Sequence, residues 1–256
     1  MSKLIAVLSP AKLLDAQTHY PELPCTQPVF LKEAKMLMNV LKMKKSSELS
    51  KMMDISKKLS EENVIRFNEW HLPFDHSNSF PAILMFKGDV YRGLSAETLD
   101  KKTLVKSQER LRILSGLYGI LKPLDFVMPY RLMMGTKFSP DKKSKNLYEF
   151  WGDKMKDDLT RDIEEKGVII NLASTEYFDA LNPKKLNGKI ISCEFKQQKG
   201  DKFTIANTYS KLGRGMMARF ILENNIQKPN DLKAFDSDRY AFNKALSTDE
   251  TFVFTR

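Results

Sequence analysis

The chain has 256 residues, 42% of them apolar and 29% charged, with a formal net charge of +10 and an isoelectric point near 9.4. Its longest apolar runs are far too short to span a bilayer, and its two cysteines, Cys25 and Cys193, cannot build a disulfide framework. The excess of Lys and Arg favours polyanionic partners: DNA, RNA, nucleotides or anionic surfaces.

The first predicted element is a strand, Leu4–Leu8, stopped by Ser9-Pro10. It reads as a strand and not as a signal peptide, and with only two cysteines the expected location is the cytoplasm. Residues 16–29 carry Pro21, Pro24 and Pro28 and form a surface connection. Leu31, Ala34, Met38 and Leu41 then recur at helical spacing, predicting a helix over residues 30–43. Ser46 or Ser47 caps a second helix through Ile55, and Ser60 caps a third, with Glu61 and Glu62 in its first turn.

Residues 81–94 read as a buried strand that turns into a loop at Gly88-Asp89, with a short helix left open by their periodicity, and Asp100 caps a helix towards Arg110. Residues 111–121, broken by Gly116 and Gly119, fit either strand or helix. Residues 146–161 become helical towards their end, up to Gly167. Strands follow over Val168–Leu172, 189–195 and 203–207, with turns at Asn187-Gly188 and Gly200-Asp201. An amphipathic helix over 209–224 is stopped by Pro229. Strands interleaved with helices predict an α/β fold, a mixed sheet with surrounding helices in a single domain over residues 1–256.

Ligand counting predicts no metal site: His19, His71 and His76 have no helical pair spacing, and there is no Cys-x-x-Cys. No cofactor motif is present. Ser9-Pro-Ala-Lys12 matches Ser-x-x-Lys, but the companion Ser-Asp-Asn and Lys-Thr-Gly elements are missing. The loop after the first strand instead presents Lys12 and Asp15 at the carboxyl end of the sheet, where α/β sheets bind ligands. In residues 86–94, Lys87, Gly88, Asp89, Tyr91 and Gly93 sit close together; glycines let backbone approach a phosphate, and a plain tight turn explains the same pattern.

Residues 112–122, with Arg112, Ser115, Gly116, Tyr118 and Gly119, resemble the glycine hairpin of helix-hairpin-helix DNA-binding modules, one residue longer between the glycines. Lys211 and Arg214 share one face at the start of the late helix, which suits phosphate, and a solvated basic surface explains them equally.

Taken together the segments resemble, nearly end to end, the YaaA family of bacterial peroxide-stress proteins. The carrying motifs are Leu8-Ser-Pro-Ala-Lys-Leu-Leu-Asp15, Phe86-Lys-Gly-Asp-Val-Tyr-Arg-Gly-Leu94 and Arg112-Ile-Leu-Ser-Gly-Leu-Tyr-Gly-Ile-Leu-Lys-Pro-Leu-Asp125. They continue with Pro129-Tyr-Arg-Leu-Met-Met-Gly135, Leu147-Tyr-Glu-Phe-Trp-Gly-Asp153, Asn171-Leu-Ala-Ser-Thr-Glu-Tyr177 and Arg214-Gly-Met-Met-Ala-Arg-Phe220. The resemblance implies a cytosolic protein that limits iron-dependent peroxide damage and binds double-stranded DNA through a basic cleft and a helix-hairpin-helix-like element. The family usually has Glu where this chain has Met133, so no acid is assigned there.

The expected DNA- or phosphate-binding residues are Lys12, Lys87, Arg112, Gly116, Gly119, Arg131, Lys211 and Arg214. A second class of function is an enzyme acting on a nucleotide, nucleobase or other phosphate-bearing metabolite. Its polar pocket would draw on Asp15, Asp89, Tyr91, Ser115, Tyr118, Asn171 and Glu176. Compact polar motifs of this kind exceed what phosphate contacts need, which is mainly Lys and Arg.

Overall fold

The computed structural model describes residues 3–17, 20, 22–163 and 167–256. Strand β1 (Leu4–Leu8) is apolar and buried at every position, as an interior parallel strand covered on both faces must be. After the short β2 (Leu13–Leu14) come helices α1 (Leu31–Lys42), α2 (Ser46–Met53) and α3 (Lys57–Glu69). Helix α1 buries Ala34, Leu37, Met38 and Leu41, one stripe at helical spacing. The cap of α3 is Ser56, whose hydroxyl accepts from the Leu59 N–H; Ser60, expected there, lies one turn inside and is buried.

Residues 80–94 are not the predicted strand and loop. They divide into β3 (Phe80–Pro81), α4 (Ala82–Met85), β4 (Phe86–Lys87) and α5 (Asp89–Leu94). The apolar run is buried all round, so its periodicity carried no choice between strand and helix. Helix α6 (Lys101–Arg110) is capped by Asp100, which accepts from the Thr103 N–H at 2.7 Å. Next come β5 (Leu111–Ser115), β6 (Gly119–Leu121), β7 (Phe126–Val127), α7 (Leu147–Trp151), α8 (Lys154–Ile163), β8 (Val168–Leu172) and α9 (Thr175–Phe178). The chain closes with β9 (Lys189–Lys199), β10 (Lys202–Thr204), α10 (Asn207–Glu223), β11 (Ala241–Phe242) and β12 (Thr251–Thr255). The third predicted late strand is thus shorter than expected, because α10 takes over at Asn207.

The main sheet has the order β11-β12-β9-β8-β1-β5-β6, with β10 paired to β9. Strands β5, β1, β8, β9 and β12 run parallel to their neighbours, and β6 and β11 close the edges antiparallel. The fold is therefore mixed α/β, as the interleaved elements predict. The loops that follow β1, β5 and β8 emerge at the carboxyl end of these parallel strands, and that end carries the candidate site.

Residues 111–121 form a β-hairpin, with Ser115 opposite Gly119. This corrects the helix-hairpin-helix expectation for the segment. Strand β5 is buried at every position and pairs with β1 through its other edge, so its backbone is committed to the sheet. No helix among the described residues is long and apolar enough to cross a membrane.

Candidate anion-binding site

The chain leaves β1 at Ser9, whose Oγ accepts from the Ser174 N–H at 2.9 Å and lies 3.2 Å from the Ser174 Oγ. The Ser9 carbonyl accepts from the Tyr91 hydroxyl at 3.0 Å. These bonds lace together the loop after β1, the loop after β8 and helix α5. Burial, then Tyr130 and Tyr177, push the Tyr91 phenol well above its usual value, so it serves as a neutral donor. Residues 9–12 are not helical, and Ser9 is engaged with Ser174, so the Ser-x-x-Lys reading has no one-turn geometry behind it.

A buried polar frame supports the next layer. Ser115 Oγ accepts from the Leu117 and Tyr118 N–H groups at 3.2 and 2.9 Å and lies 2.6 Å from the Tyr130 hydroxyl. Tyr118 Oη accepts from the Trp70 indole N–H at 2.9 Å and from the Met128 N–H at 3.1 Å. The frame fixes the chain at Met128 and Tyr130. Each member is buried with partners, as buried polar groups require.

Above this frame, Pro10, Ala11, Lys12, Tyr130, Arg131, Leu132, Met133 and Tyr177 line a recess of about 70 Å³. Arg131 decides its chemistry. The side chain is half-buried, and its Nε is buried with no hydrogen-bond partner. Burial first, and Arg66 on α3 second, hold its guanidinium below the usual arginine value. No carboxylate pairs with it among the described residues. Lys12 is exposed at the rim, and Met133 contributes no charge. The nearby Glu176 is held by the Gly135 N–H, which donates to Oε1 at 2.9 Å. A recess with two cations and an unanswered donor is arranged for an anion.

A family profile described as peroxide stress protein YaaA matches residues 4–246. A UPF0246 protein of Idiomarina loihiensis is 47% identical over 255 residues, 99% of this chain and 98% of the relative. UPF0246 proteins of Hahella chejuensis and Saccharophagus degradans are 45% and 44% identical, each over 99% of both chains. The chain belongs to the YaaA family of peroxide stress proteins.

Its YaaA motifs serve several ends. Lys87 and Asp15 pair with each other at 3.8 Å across the β2–β4 ladder, so the Lys87 charge is answered at home. Asp89 pairs with Arg92 at 3.0 Å in the first turn of α5. Asn171 shapes the loop after β8: its Oδ1 accepts from the Ala173 N–H at 3.0 Å and its Nδ2 donates to Ser192 Oγ at 3.2 Å.

Arg112, expected at phosphate, is buried at 2% exposure. It donates through Nε and Nη2 to Asp162 and through Nη1 to the Gln108 carbonyl at 2.7 Å. Its charge is spent inside the fold. Gly116 and Gly119 likewise serve packing. A side chain at Gly116 would meet the Leu132 carbonyl at 2.3 Å, and Gly119, at φ +71°, lies against the Trp151 ring. Ser115 and Tyr118 belong to the buried frame and do not line the recess. Lys211 is exposed on α10, whereas burial holds Arg214 below its usual value despite Glu194; the shared helix face does not give them equal access.

Among the described residues no group of His, Cys, Asp or Glu is placed to hold a metal ion. His71 Nδ1 lies 2.7 Å from the Glu69 carbonyl, and the His76 ring packs edge-on against Phe126. His19 lies outside the described residues. Burial pushes the Cys25 thiol up to about 11, helped by Glu22 and Asp125, and the Cys193 thiol up to about 12, so neither is a ready nucleophile. The sequence reading missed Arg66, Tyr130, Tyr177 and Ser174. All but Arg66 lie in the quoted motifs; Arg66 sits on a polar helix with nothing local to mark it.

Proposed function

We propose that this protein acts in the cytoplasm during peroxide stress by binding double-stranded DNA, with one phosphate group seated at the Lys12–Arg131 cleft and the surrounding basic surface contacting further phosphates, and so limits iron-dependent oxidative damage. The observation that carries the reading is the half-buried Arg131 guanidinium, which has no counterion and no partner for its Nε among the described residues. A charge withdrawn from water without a partner is costly, and a phosphate oxygen offsets that cost with charge-assisted hydrogen bonds. The net charge of +10 draws a polyanion towards the surface. Binding that rests on four to six phosphate contacts gives log affinity falling against log salt with a slope of about −4 to −5. A labelled duplex titrated at several salt concentrations measures it, and no binding even at low salt removes DNA as the partner.

A second reading, an enzyme acting on a nucleotide or other phosphate-bearing metabolite, is favoured by the position of the recess. It opens beside loops that follow parallel strands, where open α/β sheets place small ligands, and the bonds of Ser9 to Tyr91 and Ser174 fix the start of the loop that lines it. Turnover of a nucleotide by purified protein, abolished in Arg131→Gln, is its test.

A further inference from the structure

We infer that the recess seats one terminal phosphoryl group, a phosphomonoester dianion held on a single ester arm, and not an internal phosphodiester. The inference rests on reading the cleft as an anion site. Size is the first argument. About 70 Å³ is well above the roughly 10–15 Å³ that one water needs. It is far below the roughly 300–1,000 Å³ of a pocket that engulfs a whole small-molecule ligand. One tetrahedral oxyanion fits, and whatever carries it stays outside. An internal diester has two ester arms, and a recess of this volume would have to accommodate both.

Charge is the second argument. A monoester carries about −1.5 to −2 at neutral pH, whereas a diester carries a single charge. The recess offers the Arg131 fork and the Lys12 ammonium, with Arg66 close enough to disfavour the Arg131 charge further. Two cations at one recess, one of them disfavoured further by Arg66, are relieved most by a dianion.

Donor inventory is the third. Arg and Lys have no acceptors. Tyr177 lines the recess, and burial first holds its phenol well above the usual value, so its hydroxyl keeps a proton to donate. Tyr130 is tied to Ser115 at 2.6 Å below. The polar side chains facing the recess are thus supplied for a group made only of acceptors.

Two sources carry this chemistry, the 5′-phosphate of a DNA strand and a free 5′-mononucleotide, and one set of titrations separates them. An internally labelled blunt duplex is compared with 5′-phosphate and with 5′-hydroxyl ends, beside a covalently closed circle of the same sequence. A 5′-mononucleotide is compared with its nucleoside by calorimetry. The expected result is a gain of about ten- to hundredfold for the phosphorylated end over the hydroxyl end. Arg131→Gln and Lys12→Ala each cancel that gain, and Arg131→Lys, which keeps the charge and loses the fork, cancels most of it. Lys12 is exposed, so its variant carries the test if Arg131→Gln fails to fold. Binding of the mononucleotide over the nucleoside, with no gain at duplex ends, keeps the terminal phosphate and assigns it to a free nucleotide, which overturns the DNA reading alone. Equal binding of circle, hydroxyl-ended and phosphate-ended duplex, with no mononucleotide binding, overturns the terminal-phosphate inference and leaves DNA binding standing.

Discussion

Arg112 and Arg131 stand in neighbouring motifs of one basic chain, and their surroundings give them opposite work. Arg112 is enclosed with Asp162 and backbone carbonyls, so Arg112→Met leaves acceptors inside the fold without a donor. Removing one partner of a buried pair costs about 3–5 kcal/mol, and the partial exposure of Asp162 places this variant near the low end, about 3 kcal/mol. Urea unfolding measures the loss, while the salt slope of DNA binding stays that of the wild type. Asp125 offers a second residue-scale prediction. Burial raises its carboxyl to about 6, against the pull of the Thr26 hydroxyl and the Lys122 N–H. Between about pH 4 and pH 6 the unfolded chain has lost this proton and the native protein still holds it. The native state binds more protons there, so this group's contribution to stability falls as pH rises through that window, by at most about 1.4 kcal/mol per unit, and is flat above it. Other carboxylates titrate nearby, so the quantity to measure is unfolding free energy of wild type minus that of Asp125→Asn. That difference declines from pH 4 to 6.

At the scale of elements, the contact between α5 and α10 decides how two motifs are used. A Cβ at Gly93 would lie 2.2 Å from the Leu212 carbonyl, and one at Gly215 would lie 1.8 Å from the Val90 carbonyl. The two helices touch backbone to backbone, which explains glycines in the middle of helical segments. Alanine favours a helix over glycine by about 1 kcal/mol, so propensity alone makes Gly215→Ala stabilising. Overpacking costs about 1–3 kcal/mol and occasionally more, and here the obstacle is backbone that cannot rotate away. Gly215→Ala is expected to destabilise by about 2 kcal/mol net, measured by denaturant unfolding. An increase in stability would mean that the helices part without loss. The position of α5 matters to the site, because Tyr91 on this helix holds the Ser9 carbonyl.

Across the whole molecule, the parallel run of β1, β5 and β8 gathers side chains from distant parts of the chain at the carboxyl end of these strands, and the net charge supplies a long-range field around them. Lys211 lies exposed on α10. If it contacts a phosphate, Lys211→Ala weakens binding to all duplex sequences alike and reduces the magnitude of the salt slope by about 1. In cells, deletion of the gene is expected to sensitise a catalase-deficient strain to hydrogen peroxide, with relief by a cell-permeable iron chelator. Complementation then ranks the parts. Asp89→Asn loses only an ion pair with an exposed Arg92 and is expected to rescue growth, whereas Arg131→Gln is expected to fail. Failure of folded Asp89→Asn with DNA affinity intact would move the function to the metabolite enzyme.

Periodicity and capping made α1, α6 and β8 legible from the chain alone, because amphipathic stripes, an Asp cap and short β-branched runs bounded by turn residues are local properties. The motifs that carry the YaaA resemblance were equally legible, and the family profile agrees with them over most of the chain. Local chemistry did not settle residues 80–94 or 111–121. A segment buried on every side has no polar face to mark its period, and whether it becomes strand or helix depends on which backbone groups lie beside it; for β5 the partners are β1 and β6. Nor did the chain announce which arginine is free. Arg112 and Arg131 carry the same group in motifs of similar weight, and only the packing that brings Asp162 to one and Arg66 to the other separates an internal ion pair from a guanidinium that no carboxylate answers among the described residues.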